Sequence, residues 1–367
     1  MEPLTDKLQR IGAWWRGEGL GRPLLWIDGV LKKDAPPPIS TMSFWPAEGE
    51  PDFEGYVNAQ YHNMLRQHYP AEAFPSMNNM WGGRGTPMTM AAYLGGNVTL
   101  GNDTVWVHKI APRLDALDIR FDPANHWAQI DRKLMEAQMA RCDGSFLIRL
   151  PDFGDALTNL SLLRGVEELL FDLIENPDVL RQKVDDFARA FIDAHQYYWS
   201  IYRQKLPGDA SWLVWCPGRT YVCQCDFSVM ISPEAFRRLV IPELQAYSEY
   251  LDMIFWHLDG YQQVRHLDAL LEMPKIYGVQ IVPGAGNPPC ASDRWIPPMQ
   301  KIQGKGKLVW ASAASRSEVE VLLSNLNPEK LAIKCNFSFV SLEEAEEFVD
   351  WVTRLSKRKQ PIRSHKG

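Results

Sequence analysis

From about residue 145 onward, short apolar runs alternate with long amphipathic segments, and this alternation narrows the folds open to the chain more than any other feature. The runs cover 146–150, 212–215, 253–256, 276–282, 308–311 and 331–333. Near-continuous apolar strands of this length suit a parallel sheet buried on both faces. The segments between them carry helix signals. Asn176-Pro177 offers an N-cap and a first-turn proline, after which Leu180, Val184, Phe187, Phe191 and Ile192 recur at helical spacing. Ser232-Pro233-Glu234 opens a second such segment through Phe236, Val240, Leu244 and Tyr247, with Pro242 expected to kink it. Ser315-Arg316-Ser317-Glu318 and Ser341-Leu342-Glu343-Glu344 both match the S-x-x-E capping box. After the second, Ala345, Phe348, Val349, Val352 and Leu355 form one apolar stripe.

Strand and helix alternating in this way predict an α/β fold. With an early strand over 24–27, the count is compatible with a (β/α)8 TIM barrel. A chain of 367 residues is long for one ordinary core but fits such a barrel with insertions. The expected organisation is one domain over 1–367, with an irregular N-terminal extension over 1–140 and the most regular barrel part over 141–356. The extension is rich in turn residues, as in "DAPPPIS", "WPAEGEPDFEG" and "MWGGRGTPM", with helices expected over 56–68 and 125–141.

Composition removes several function classes. The net charge of −6, with no Lys/Arg stripe beyond Lys357-Arg358-Lys359, argues against nucleic acid as a main partner. Those residues, with Arg363 and Lys366, read as a solvated tail. No run of 18 apolar residues exists, so no membrane span is expected, and "MEPLTDKLQR" is unlike a secretory signal. Six irregularly spaced cysteines do not make a disulfide scaffold, so reduced thiols and a cytoplasmic location are expected. Fourteen tryptophans and thirteen methionines suggest a roomy apolar pocket.

In a barrel, chemistry gathers at the carboxyl ends of the strands. The residues that follow or end the runs are Asp152, then Trp215 and Cys216, then His257 and Asp259, then Gln280, Ser312 and Cys335. His257, Asp259 and Cys335 are all acceptable zinc ligands, and three ligands with an open position is the catalytic arrangement. An H-x-D pair on an extended segment puts both side chains on the same side. The alternative is that His257 bonds a backbone group and Cys335 is a small buried hydrophobe; spacing alone leaves both open. Cys223-Gln224-Cys225 lacks the C-x₂-C spacing of zinc ribbons, so Cys223 reads as structural, with Cys225 a candidate extra ligand. In "VPGAGNPP", Gly284 and Gly286 belong either to an anion-binding loop or to a tight turn closed by prolines. Walker A, G-x-S-x-G and H-E-x-x-H motifs are missing from the sequence.

Two stretches, "QCDFSVMISPEAFRRLVIPELQAY" and "WHLDGYQQVRHLDALLEMPKIYGVQIVPG", resemble the uroporphyrinogen decarboxylase superfamily. So do "LRGVEELLFDLIENPDVL" and "FSFVSLEEAEEFVDWV", and the similarity covers about 145–355. The resemblance implies a (β/α)8 barrel. It spans two branches, the decarboxylase of haem synthesis and the corrinoid- and coenzyme-M-linked methyltransferases. The decarboxylase branch binds substrate carboxylates through an arginine-rich N-terminal motif. Here "RPLLWIDGVL" puts Trp26, Ile27 and Asp28 in its place, and the acidic residue would repel a polyanion. The methyltransferase branch holds zinc through an H-x-C pair, a Glu on the next strand and a distant Cys. His257 matches the His, Asp259 stands for the Cys, Gln280 stands for the Glu, and Cys335 falls near the distant Cys.

The resemblance thus implies a corrinoid- or thiol-linked methyltransferase acting on a small substrate. Zinc would sit at His257, Asp259 and Cys335, and a corrinoid would serve as methyl donor or acceptor, carried by a partner protein. Trp215, Tyr221, Phe227 and Trp256 would wall the pocket, Gly284 would border it, and Gln280 would orient the bound group. It also admits a metal-free decarboxylase, with Asp152 or Asp259 as the acid that protonates or anchors a carbanion-like intermediate. A non-catalytic binding barrel is the third expectation, since fold does not fix function. A homodimer is a further implication of the resemblance.

Overall fold

The computed structural model describes residues 2–46, 48–84 and 88–359. Its strands are short and apolar because most are covered on both sides. They are β1 (Leu24–Ile27), β2 (Ser76–Met77), β3 (Leu147–Ile148), β4 (Thr220–Cys223), β5 (Met253–Asp259), β6 (Ile276–Val282), β7 (Leu308–Ala313) and β8 (Leu331–Cys335). Six of them form one parallel sheet in the order β1-β8-β7-β6-β5-β4. The first strand therefore lies beside the last, with Leu24 opposite Ala332 and Ile27 opposite Cys335. β2 and β3 form a separate parallel pair. Every side chain of β1 and β4 is buried, which is the environment the apolar runs called for.

Helices separate the strands as expected. They include α1 (Leu4–Trp15), α2 (Phe53–Leu65), α3 (His126–Arg141), α4 (Ala156–Arg164), α5 (Pro177–Tyr202), α6 (Pro233–Tyr250), α7 (Arg316–Asn325) and α8 (Leu342–Lys359). The Ser232 side chain caps α6, and Pro242 sits inside that helix without ending it. Both S-x-x-E signals work: the Ser315 and Ser341 hydroxyls accept from the Glu318 and Glu344 N–H groups. The two glutamates reach back to the Ala314 and Val340 N–H groups, one residue before the cap. Asn176 departs from expectation, since its side chain donates to Asp172 instead of capping α5. The helix expected over 56–68 runs Phe53–Leu65 because the Asp52 carboxylate caps Gly55 at 2.9 Å.

The 212–215 run is the largest correction. It contributes only Trp215–Cys216, which pairs antiparallel with Asp209–Ala210, while the sheet strand is Thr220–Cys223. The polar start of β4 is paid for inside the fold: buried Asp209 accepts the Thr220 N–H at 3.0 Å and faces His195 at 3.1 Å. The tail reading ends at α8, because Arg363, Lys366 and the side chains of Arg358 and Lys359 lie outside the described residues, as do Gly85, Thr86 and Pro87 of the Gly-rich stretch.

The N-terminal extension holds the amino ends of the strands. α1 packs Trp14 and Trp15 on Phe255 of β5, Trp14 also meeting Trp310 of β7 and Trp15 meeting Tyr277 of β6. Glu72, fully buried, receives both Arg22 Nη groups and Arg10 Nε at 2.8 Å and the Leu25 N–H at 2.9 Å. That clamp fixes the start of β1. Among the described residues, no helix is long and apolar enough to cross a membrane.

Candidate functional site at the carboxyl ends of the strands

Register decides which side chains can meet. Side chains alternate faces along a strand, and register partners in neighbouring strands share a face. His257 is opposite Gln280, Gln280 opposite Trp310, and Trp310 opposite Ala332. Lys334, two residues past Ala332, is therefore on the His257 face, and so is Asp259. Cys335 is on the other face.

On the shared face, His257 Nδ1 and Gln280 Oε1 are 2.6 Å apart. An amide oxygen only accepts, so Nδ1 carries the proton and donates, which leaves the Nε2 lone pair free in the neutral ring. The Trp212 ring stands edge-on to the imidazole at 5.1 Å between centroids. Asp152, just past β3, accepts from the Tyr221 hydroxyl at 2.8 Å, from Gln224 Nε2 at 3.3 Å and from the Gly154 N–H at 3.2 Å. The Tyr221 oxygen in turn accepts a second Gly154 hydrogen bond at 2.9 Å. Burial raises the Asp152 carboxyl above its ordinary range, while Tyr221, Gly154 and the His257 charge pull it back. Asp226 is raised in the same direction by loss of water contact, with His257 opposing and Asp259 adding. Both aspartates thus sense one imidazole, and Asp226 senses Asp259 as well.

A second polar group lies on the neighbouring strands. Arg149, just past β3, donates from Nε to Ser76 Oγ at 3.0 Å and from Nη1 to the Trp212 carbonyl. Its guanidinium lies 5.8 Å from the Trp26 ring centroid. Trp26 Nε1 donates to Asp28 at 2.6 Å, and Asp28 pairs with Lys334 at 3.3 Å. Trp212 links this group to the first, its carbonyl holding Arg149 and its ring meeting the His257 imidazole.

Several expected site residues stand elsewhere. Cys335 is buried on the far face, and burial, then the nearby Asp28 charge, pushes its thiol up to about 12. Trp256, one residue from His257, points the opposite way and packs on Phe236 of α6. Trp215 is held at the amino-end side, its carbonyl accepting from Trp15 and its indole donating to Pro207. Phe227 is buried in the core. Tyr221 is also buried and touches the site only through its hydroxyl on Asp152. Gly284 lies against Asp259: a Cβ there would be 3.5 Å from Asp259 Oδ1 and 3.3 Å from the Gly260 Cα, at φ +77. Cys223 and Cys225 are both buried, with burial raising their thiols.

Among the described residues, no group of three or more His, Cys, Asp or Glu side chains could hold a metal ion. The set His257, Asp259 and Cys335 fails on parity, because the sheet separates the thiol from the other two. Gln280 uses its oxygen on His257, and the residues present do not fit the zinc that the resemblance implies.

Arg149, Trp212, Asp226 and Lys334 were not singled out from the sequence. For two of them a signal exists: Arg149 and Lys334 each interrupt an otherwise apolar run, in "FLIRL" and "LAIKC". A charge inside a strand covered on both faces requires a partner or water to meet, as Lys334 meets Asp28. Compared with known proteins, the chain matches no family model, no curated protein and no solved structure.

Proposed function

We propose that the strands close into a (β/α)8 barrel whose carboxyl-end opening is the reaction site of a metal-free enzyme for a small carboxylated substrate. The strand order supports closure. Each step from β4 to β8 adds the next strand on the same side, and β1 then follows β8. Right-handed crossovers repeated in one direction put the helices on one face, and such a sheet curls on itself. On either side of the β2/β3 pair one hydrogen bond leads toward the neighbour: Glu72 N–H, four residues before β2, to the Leu25 carbonyl of β1 at 3.2 Å, and Leu150 N–H, past β3, to the Ala210 carbonyl of the hairpin that precedes β4 at 3.0 Å.

One observation carries the functional reading: His257, held in its Nδ1–H form by Gln280, lies near enough to act on a carboxyl held toward its protonated form, Asp152. That pairing handles protons. In a decarboxylation the bond from carbon to the carboxylate breaks, carbon dioxide leaves, and the electron pair stays on carbon. Asp152 gives that carbon a proton and regains one from water. The His257 Nε2 lone pair accepts a hydrogen bond from a substrate O–H or N–H group and so orients the bond that breaks. Methyl transfer remains a second reading, favoured by the Trp26 and Trp212 rings that line the opening.

The test is turnover of a panel of small carboxylic acids by chelator-treated protein. The wild type should release carbon dioxide, and Asp152→Asn and His257→Asn should each lose about 10²-fold or more, the usual worth of a positioned acid or base. Activity that survives both substitutions, or that vanishes with the chelator, contradicts the reading.

A further inference from the structure

Beside Arg149 lies a cavity of about 270 Å³ whose wall includes Thr41, Gln60, Gln67, Tyr69, Ser76 and Asn78. Among the described residues that line it, none is charged and most carry hydroxyl or amide groups. Ser76 belongs both to this wall and to the hydrogen bond that orients Arg149, so the cavity and the guanidinium adjoin. Tyr69 joins them too, since the Arg149 and Asp28 charges act on its hydroxyl.

The guanidinium is unusual in its partners. Arg22 meets a carboxylate with both Nη groups. Arg149 has a hydroxyl and a carbonyl, and among the described residues no carboxylate lies within 4.0 Å of it. Nη2 makes no hydrogen bond within the described residues. Burial lowers its pKa to about 10, the mark of a cation short of a countercharge. A planar anion with two oxygens is what the remaining N–H groups fit.

Around the same opening stand Asp28, Asp152, Asp226 and Asp259, against the cations Arg149 and Lys334, of which Lys334 is already paired with Asp28. A second or third carboxylate on the ligand would meet those acids. A neutral polar group would meet the amides and hydroxyls of the cavity instead, where the Asn78 and Gln67 side chains make no hydrogen bond within the described residues.

We propose that the substrate is a monocarboxylate bearing uncharged hydroxyl or amide groups, its carboxylate held by Arg149 and its neutral end by the adjoining polar cavity. This rests on the opening being the reaction site and adds the substrate class. Arg149 here is a binding residue, and the cavity sets specificity.

The test is calorimetric binding to the full chain of glycolate, glycerate and gluconate. Each is compared with its unsubstituted partner, acetate, propionate or hexanoate, and with citrate and glucose. At least one hydroxy acid should bind about tenfold or more tighter than its partner, and tighter than citrate and glucose, since a site that hydrogen-bonds a hydroxyl rejects the analogue without it. Arg149→Gln should weaken that acid by about tenfold or more. Asn78→Leu, on an exposed side chain, should narrow the gap between the acid and its partner while leaving the partner's affinity unchanged. The inference is overturned if no hydroxy acid exceeds its partner, if citrate binds as tightly, or if Arg149→Gln binds like the wild type with its fold intact. Wild-type protein that binds a hydroxy acid without turning it over counts against the reaction and not against this assignment.

Discussion

Tyr221 shows how much one hydroxyl can set. It donates to Asp152 and accepts from Gly154, so it fixes both the charge and the position of the proposed acid. The sequence placed it near the site as a pocket wall; the structure makes it a positioning residue. Tyr221→Phe removes a hydrogen bond that favours the ionised Asp152, so the carboxyl rises further. The sign follows directly. A raised folded pKa stabilises the fold below the unfolded value, and that contribution is lost as pH rises through the folded value. The acid form then persists to higher pH, and the alkaline limb of kcat/KM should move upward. Stability should fall by about 1–3 kcal/mol, because buried Asp152 loses its Tyr221 donor and the Gly154 N–H loses the shorter of its two hydrogen bonds. Urea denaturation and a pH–rate profile measure the two effects; a limb that stays in place contradicts the role.

At this scale, His257, Gln280 and Asp152 were legible because each follows or ends an apolar run. Cys335 and Trp256 were misplaced by strand parity, which counting residues from His257 along one strand settles for Trp256 but not for Cys335. The parity of Cys335 requires the register of β5 through β8. Arg149 showed in the sequence only as a charge inside an apolar run, with nothing to say what it meets. Its partners, Ser76 and the Trp212 carbonyl, are 73 and 63 residues away.

Among the elements, β5 and β6 carry the site, and a single glycine sets their spacing. A Cβ on Gly278 would lie 2.3 Å from Phe255 Cε2 and 2.9 Å from Leu308 Cβ. Phe255 is the residue on which Trp14 and Trp15 pack, two positions before His257. Gly278→Ala should therefore cost about 1–3 kcal/mol by overpacking. Phe255→Leu in the same chain should recover part of that loss, as coupled neighbours do. Additive losses in a denaturation cycle would contradict the contact. The strands and caps were readable because they depend on local chemistry: apolar runs, S-x-x-E signals, Pro at a first turn. β4 was not readable, since its polar Thr220 is satisfied by the Met253 carbonyl, Asp209 and His195, which a linear pattern does not join.

For the whole molecule, the α/β character followed from the alternation of runs and helices, and the central sheet realises it with the first strand beside the last. Within residues 1–140, α1 packs on β5, β6 and β7, and Glu72 clamps the start of β1. The proposed reaction site is at the opposite, carboxyl ends. The metal-centred expectation depended on three residues converging there, and the sheet sends one of them to its other side.

The central claim is that this opening moves a proton without a metal. Its most direct measurement is turnover of an accepted carboxylic acid in D₂O by chelator-treated protein, with the product examined by NMR. The account predicts one deuterium on the carbon that lost carbon dioxide, formed by the wild type and lost in Asp152→Asn. Turnover that requires added metal, or a product methylated or altered with no deuterium at that carbon, would contradict it.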